Sequence, residues 1–168
     1  FDGLSSALRP LTFGNLFFDR LLLQLVRQCP WNLRPILGIK PLESTIGRGY
    51  MAWGYCHMLR LTGDKKYREK IDVCLGWLID NKSPGYAEYS WGKHFDFASR
   101  SGLYVAFEPI LVWTALIAHA FLEAYEILGQ KKYLNVADSV CRWIMKLPRN
   151  QTDNGFCLGY HNQDSSAD

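Results

Sequence analysis

The chain has 168 residues, of which 48% are hydrophobic, 14% aromatic and 21% charged, with a formal net charge of +3. That length supports one compact domain with a sizeable core, and the apolar and aromatic share excludes intrinsic disorder. No block of five or six basic residues occurs, so the charge gives no reason to expect a nucleic-acid partner.

In chain order, a leading helix is predicted over 15–28, where Leu16, Phe17, Leu21, Leu23, Leu25 and Val26 make a segment too apolar for an exposed helix. Pro30, Pro35 and Pro41 then impose a non-helical crossing. A first helical hairpin follows over 45–81. Its first helix stops at Thr62-Gly63-Asp64, where Gly63 suits a C-cap and Asp64 can N-cap the next helix. In that second helix Tyr67, Ile71, Cys74, Leu75, Leu78 and Ile79 share one face, with Glu69, Asp72 and Asp80 toward water. An aromatic loop covers 85–108. A second hairpin covers 109–147, its first helix apolar almost all round and so expected to be centrally buried. Gly129 forms its turn and Pro148 its stop, and a polar tail covers 148–168.

A shift of 66 residues lays Gly63-Asp64-Lys65-Lys66-Tyr67 on Gly129-Gln130-Lys131-Lys132-Tyr133, Asp72 on Asp138, and Trp77 on Trp143. With a slip of one, Tyr89-Ser90-Trp91-Gly92 falls on Phe156-Cys157-Leu158-Gly159, and His94 on His161. An αα-hairpin cannot bury both faces alone, so successive hairpins must stack. One helix of each pair is apolar all round and the other one-sided, which suits two concentric layers: an all-α fold of helical hairpin repeats forming part of an α/α toroid. Common solenoid units are shorter, roughly 33–47 residues.

Five cysteines, an odd number with no CxxC pair, point to a reducing compartment and a cytoplasmic location. Cys157 and His161 have a metal-compatible spacing but no second pair, so no metal and no cofactor are expected. No signal peptide is visible. The longest apolar run, Ile110 to Ala118, falls well short of the roughly 20 residues that span a bilayer.

Three stretches carry a resemblance: Asn32-Leu33-Arg34-Pro35-Ile36-Leu37-Gly38-Ile39-Lys40-Pro41, Leu61-Thr62-Gly63-Asp64-Lys65-Lys66-Tyr67, and Trp91-Gly92-Lys93-His94-Phe95-Asp96-Phe97-Ala98-Ser99-Arg100. They resemble bacterial proteins of the six-hairpin glycosidase-like, (α/α)6 toroid superfamily, especially members associated with polysaccharide metabolism. The resemblance implies the toroid fold and, by analogy, carbohydrate chemistry. A six-hairpin ring of such units needs about 400 residues. This chain, starting at Phe1 and ending in a polar tail, is therefore expected to be a fragment, completed by the remaining hairpins or by self-association.

In such toroids the loops before the inner helices line one end of the cavity, and 85–108 is such a loop. Asp96 and Glu108 are the candidate carboxylate pair for acid, base or nucleophile, since glycoside hydrolysis uses two. Glu88 stands in reserve, and His94 is the candidate proton-transfer group. Trp91 and Tyr89 could stack on sugar, Arg100 could hold a uronate carboxylate, and Glu88 completes the substrate-contact set. Each has a structural alternative. Trp91 can be a packing plug, Arg100 can clamp Asp96, and Glu108 can serve the start of the helix beginning at Pro109. His94 repeats as His161. His119 with Glu123, and His57 with Arg60, can face the cavity or satisfy each other. Trp77 and Trp143 read as core. No Gly-x-Ser-x-Gly, P-loop, Gly-x-Gly-x-x-Gly or His-Glu-x-x-His motif occurs, nor the Asp-rich motifs of toroidal terpene cyclases. The expectation is a carbohydrate-active protein, glycoside hydrolase or lyase-like. The alternative is a non-catalytic binding or scaffolding module in polysaccharide biosynthesis.

Overall fold

The computed structural model describes residues 3–100 and 102–160. In chain order their elements are α1 (Leu16–Gln28), α2 (Thr45–Thr62), α3 (Lys66–Asp80), β1 (Phe97–Ala98), β2 (Leu103–Tyr104), α4 (Leu111–Leu128), α5 (Lys131–Met145), β3 (Arg149–Thr152) and β4 (Gly155–Leu158). The chain is mostly helical, as the apolar spacing predicts. Two compact units result: Phe1–Glu43 with Lys93–Phe107, and Ser44–Gly92 with Glu108–Asp168.

The second unit holds two helical hairpins. α2 and α4 both have 18 residues, and their first residues, Thr45 and Leu111, are 66 positions apart. Both end at a left-handed glycine, Gly63 at φ 67° and Gly129 at φ 66°, where a side chain would be strained. Asp64 does its expected work at the next helix start: its carboxylate accepts from the Lys66 amide at 3.0 Å. α2 and α4 lie side by side, while α3 flanks α2 and α5 flanks α4. Early in both helices Gly49 meets Ile117, and late in both Arg60 meets Glu123, so the two run parallel. The core between them is Cys56, Ile71, Leu75, Leu78, Ile117, Phe121, Tyr133 and Val140, all 0% exposed.

Three expectations change here. Asp72 faces water only in part: its half-buried carboxylate also accepts from the Tyr133 hydroxyl, tying α3 to α5. α4 is not buried all round. Thr114, Ile117, Ala118, Ala120, Phe121 and Ala124 are buried, while Val112, Ala115, His119, Leu122 and Glu126 form an exposed stripe at alternating 3- and 4-residue spacing. By length and composition alone α4 could span a membrane, but it packs against α2 and α5 with Glu123 and Glu126 held by Arg60. The polar tail is not featureless either. β3 and β4 pair antiparallel, Arg149 with Leu158 and Thr152 with Gly155, closed by a turn through Asp153-Asn154. Residues 161–168 of that tail, His161 included, lie outside the described residues.

The first unit is built on α1. Asn15 caps it by accepting from the Phe17 amide at 2.9 Å. Asp19 is buried and accepts from the Thr12 hydroxyl at 2.6 Å. Leu23 packs with Leu4 and Ala98, and Leu22 and Val26 pack with Ile39. The segment expected to be too apolar for exposure nevertheless leaves Phe17, Phe18, Leu21 and Leu25 in solvent. Residues 93–107 join this unit as the β1–β2 hairpin, with Phe97 opposite Tyr104.

Candidate functional site

The expected aromatic loop, 85–108, is two structures. Gly85–Gly92 and Glu108 belong to the helical unit, and Lys93–Phe107 to the α1 unit. The cluster Trp91, His94, Asp96 and Arg100 is therefore divided between the two.

In the helical unit Trp91 is 0% exposed. Its indole N–H donates to the Leu78 carbonyl at 2.9 Å, and its amide donates to Thr114 Oγ1 at 3.1 Å. Its ring stacks on Phe121 at 5.8 Å and on Tyr89 at 6.0 Å. A ring so enclosed has no face for a sugar, so Trp91 is the packing plug. Tyr89 is half-buried, with its amide donating to Ser139 Oγ at 3.0 Å and the Lys82 ammonium 5.3 Å from its ring. Glu88 pairs with Lys146, which holds its carboxyl below the usual carboxylate range. Glu108 is buried at 9% exposure. α4 begins at Leu111 with Ile110 as N-cap, so Glu108 precedes the cap by two residues and is not in the first turn.

In the other unit the guanidinium on Asp96 is Arg9, at 2.5 Å, and not Arg100, which is exposed. The other carboxylate oxygen of Asp96 accepts from the Ala106 amide at 2.9 Å. Asp96 thus closes the base of the β1–β2 hairpin. The His94 ring lies 4.9 Å from that of Phe107, and burial lowers its pKa, favouring the neutral imidazole. Burial likewise pulls the neighbouring Lys93 down to about 8, its ammonium 3.5 Å from the Phe97 ring.

Another set of groups converges on the shared face of α2 and α4. The Trp53 ring lies 4.6 Å from His119 at 29°, 6.0 Å from His57, and 6.5 Å from Tyr50 at 12°. Tyr50, His57 and His119 are exposed. At the far end Arg60 reaches Glu123 at 2.9 Å and Glu126 at 3.6 Å. Glu123 is therefore satisfied by Arg60 rather than by His119, and Arg60 turns to the glutamates while His57 lies against Trp53. Tyr50, Trp53, His57 and Arg60 follow 3-, 4- and 3-residue steps on one helix face, a spacing that could have found them. The thiol beneath this face, Cys56, is pushed up to about 12, chiefly by burial and further by Glu123, and is inert.

No family model matches the chain, and no curated protein matches it. Among the described residues no group of three His, Cys, Asp or Glu side chains is placed to hold a metal ion. The residue chemistry thus offers aromatic rings, two imidazoles and an ion-pair cluster of Arg60 with Glu123 and Glu126 on one helical face. Of the loop carboxylates, Asp96 and Glu88 are engaged in structural contacts, while the buried Glu108 Oε1 accepts no hydrogen bond among the described residues.

Proposed function

We propose that the chain forms two neighbouring hairpins of an α/α toroid of the six-hairpin glycosidase-like kind, and that it binds a poly- or oligosaccharide without cleaving it. The observation that carries this reading is the parallel pair α2 and α4, equal in length and stop signal, presenting Tyr50, Trp53, His57 and His119 on one face. In a ring of such hairpins that face lines the cavity, and aromatic edges beside hydrogen-bonding imidazoles suit sugar rings. The binding role is favoured over hydrolysis or elimination because Asp96 is tied to Arg9 and Ala106, and Glu88 to Lys146. The ligand is a neutral saccharide rather than a uronate. The one guanidinium on this face, Arg60, is already shared between two carboxylates.

Titration of the protein with a panel of neutral and uronate-containing oligosaccharides, by calorimetry, tests the reading. Binding of a neutral oligosaccharide is expected, weakened at least tenfold, about 1.4 kcal/mol, by Tyr50→Ala with His57→Ala. Chromatography of the ligand after incubation should show it intact. No saccharide binding, binding indifferent to the double substitution, or a cleaved ligand would each overturn it.

A further inference from the structure

The 66-residue register makes the two open sides of the helical unit complementary to each other. On hairpin two, the side of α5 and α4 that faces the preceding loop is filled. Trp91 stacks on Phe121 and bonds Thr114, and Tyr89 bonds Ser139. The positions 66 residues earlier, Tyr55, Arg48 and Val73, line an open groove of about 280 Å³ between α2 and α3 together with Met51, Lys70 and Cys74. Their counterparts Ile117, Val136 and Val140 are buried, whereas Val73 is 62% and Met51 47% exposed. Among the described residues hairpin one therefore has the socket but no plug.

The plug exists at the other end. The residues matching Tyr89 and Trp91 are Phe156 and Leu158 on β4, and Phe156 is 55% exposed. This loop is anchored as its counterpart is. The Thr45 hydroxyl donates to the Gly92 carbonyl at 2.9 Å, and the Leu111 amide donates to the Tyr160 carbonyl at 2.9 Å. Beside it, Val112, Ala115 and Leu122 on α4 match Ile46, Gly49 and Cys56, which pack in the α2–α4 interface. In α4 these three are exposed.

We propose that this surface is a head-to-tail docking site for a second copy of this chain. The β3–β4 hairpin of one copy seats Phe156 and Leu158 in the α2–α3 groove of the next. α4 of the first then lies parallel to α2 of the second, with Ala115 under Met51. The contact continues the α2–α4 interface by one repeat. Because socket and plug are different surfaces, the association is heterologous and propagates. It rests on the 66-residue register and not on the saccharide reading, and it stands or falls separately.

Sedimentation velocity from about 1 µM to about 500 µM tests it, covering micromolar to sub-millimolar dissociation constants. The weight-average mass is expected to at least double, roughly, across that range. Phe156→Glu removes the plug and Val73→Glu blocks the socket. Both side chains are exposed, and far-UV circular dichroism checks that the helices are retained. Each variant alone should remain monomeric. Mixed one to one they should form a dimer and nothing larger, since one intact plug meets one intact socket. A wild-type chain monomeric throughout, variants that associate like wild type, or an associating wild type whose variants fail to pair on mixing would overturn the proposal.

Discussion

Trp91 separates a structural from a ligand-binding role most directly. Trp91→Ala removes a 0% exposed indole stacked on Phe121 and Tyr89. Large aromatic-to-alanine changes in cores cost about 3–5 kcal/mol. The Leu78 carbonyl also loses the indole N–H at 2.9 Å, and leaving a buried acceptor without a donor adds about 1 kcal/mol or more. The total, about 4–6 kcal/mol, is a large part of the 5–15 kcal/mol that typical domains possess. At roughly 2–4 °C per kcal/mol for a chain of this size, the thermal midpoint should fall by about 8–24 °C. Trp91→Phe keeps a ring in the stack and loses the N–H and part of the volume, so it should fall between wild type and alanine. Urea unfolding followed by far-UV circular dichroism measures the series. A solvent-facing sugar platform would tolerate the alanine change within about 0.5 kcal/mol. A measured loss below about 1 kcal/mol would refute the packing assignment.

Three further expectations follow from the same geometry. Asp96→Ala and Arg9→Ala should each destabilise by about 1–2 kcal/mol, and the double variant by clearly less than their sum. The pair is one partly exposed ion bridge with a backbone acceptor attached, and additive losses in the double-mutant cycle would disprove the clamp. His94 has its folded pKa lowered by burial, so the unfolded chain binds the proton more readily. Stability should hold above about pH 6.5, the usual histidine value, and decline as pH falls below it. His94→Gln should flatten that decline in pH-dependent urea midpoints, and an unchanged slope counts against it. Two glycines of α2 should respond oppositely. A Cβ at Gly49 would lie 2.8 Å from Ile117 Cγ1, so Gly49→Ala overpacks the α2–α4 contact at a cost of about 1–3 kcal/mol. Gly54 has open space, and Gly54→Ala should gain about 0.5–1 kcal/mol of helix propensity, so equal thermal shifts of the same sign would contradict the helix contact.

The helices were legible because their signals are local. Gly63 and Gly129 stop helices through a left-handed conformation that most residues avoid, and the apolar spacing of Ile71, Cys74, Leu75 and Leu78 marks one buried face. The β3–β4 hairpin was also written locally, in Asp153-Asn154, residue types that favour tight turns, followed by Gly155 at φ 141°. The polarity of the stretch after Pro148 hides it, because its strands are exposed and carry no apolar alternation. Composition misled at α4. Mean apolarity describes what a helix can bury, whereas the stripe from Val112 to Glu126 is exposed because no neighbour among the described residues covers it.

The candidate site was harder to read, since its residues are set by tertiary partners that no local pattern shows. Loop 85–108 has the composition of a sugar cleft, yet aromatic-rich loops serve equally to plug a groove between two helices. What distinguishes the uses is whether the groove is present. Trp91 has one, between α4 and α5, bounded by Thr114 and Phe121. For Asp96, nearness in sequence points to Arg100, whereas Arg9 is brought in by the packing of α1 with β1. By contrast Trp53, His57 and Arg60 sit on one helix face by periodicity alone, and His119 reaches Trp53 because α2 and α4 run in the same direction in equal register. A repeat read from sequence thus locates functional chemistry better through the helix faces it superposes than through the loops between them: the faces inherit their neighbours from the register, while each loop is free to be spent on closure.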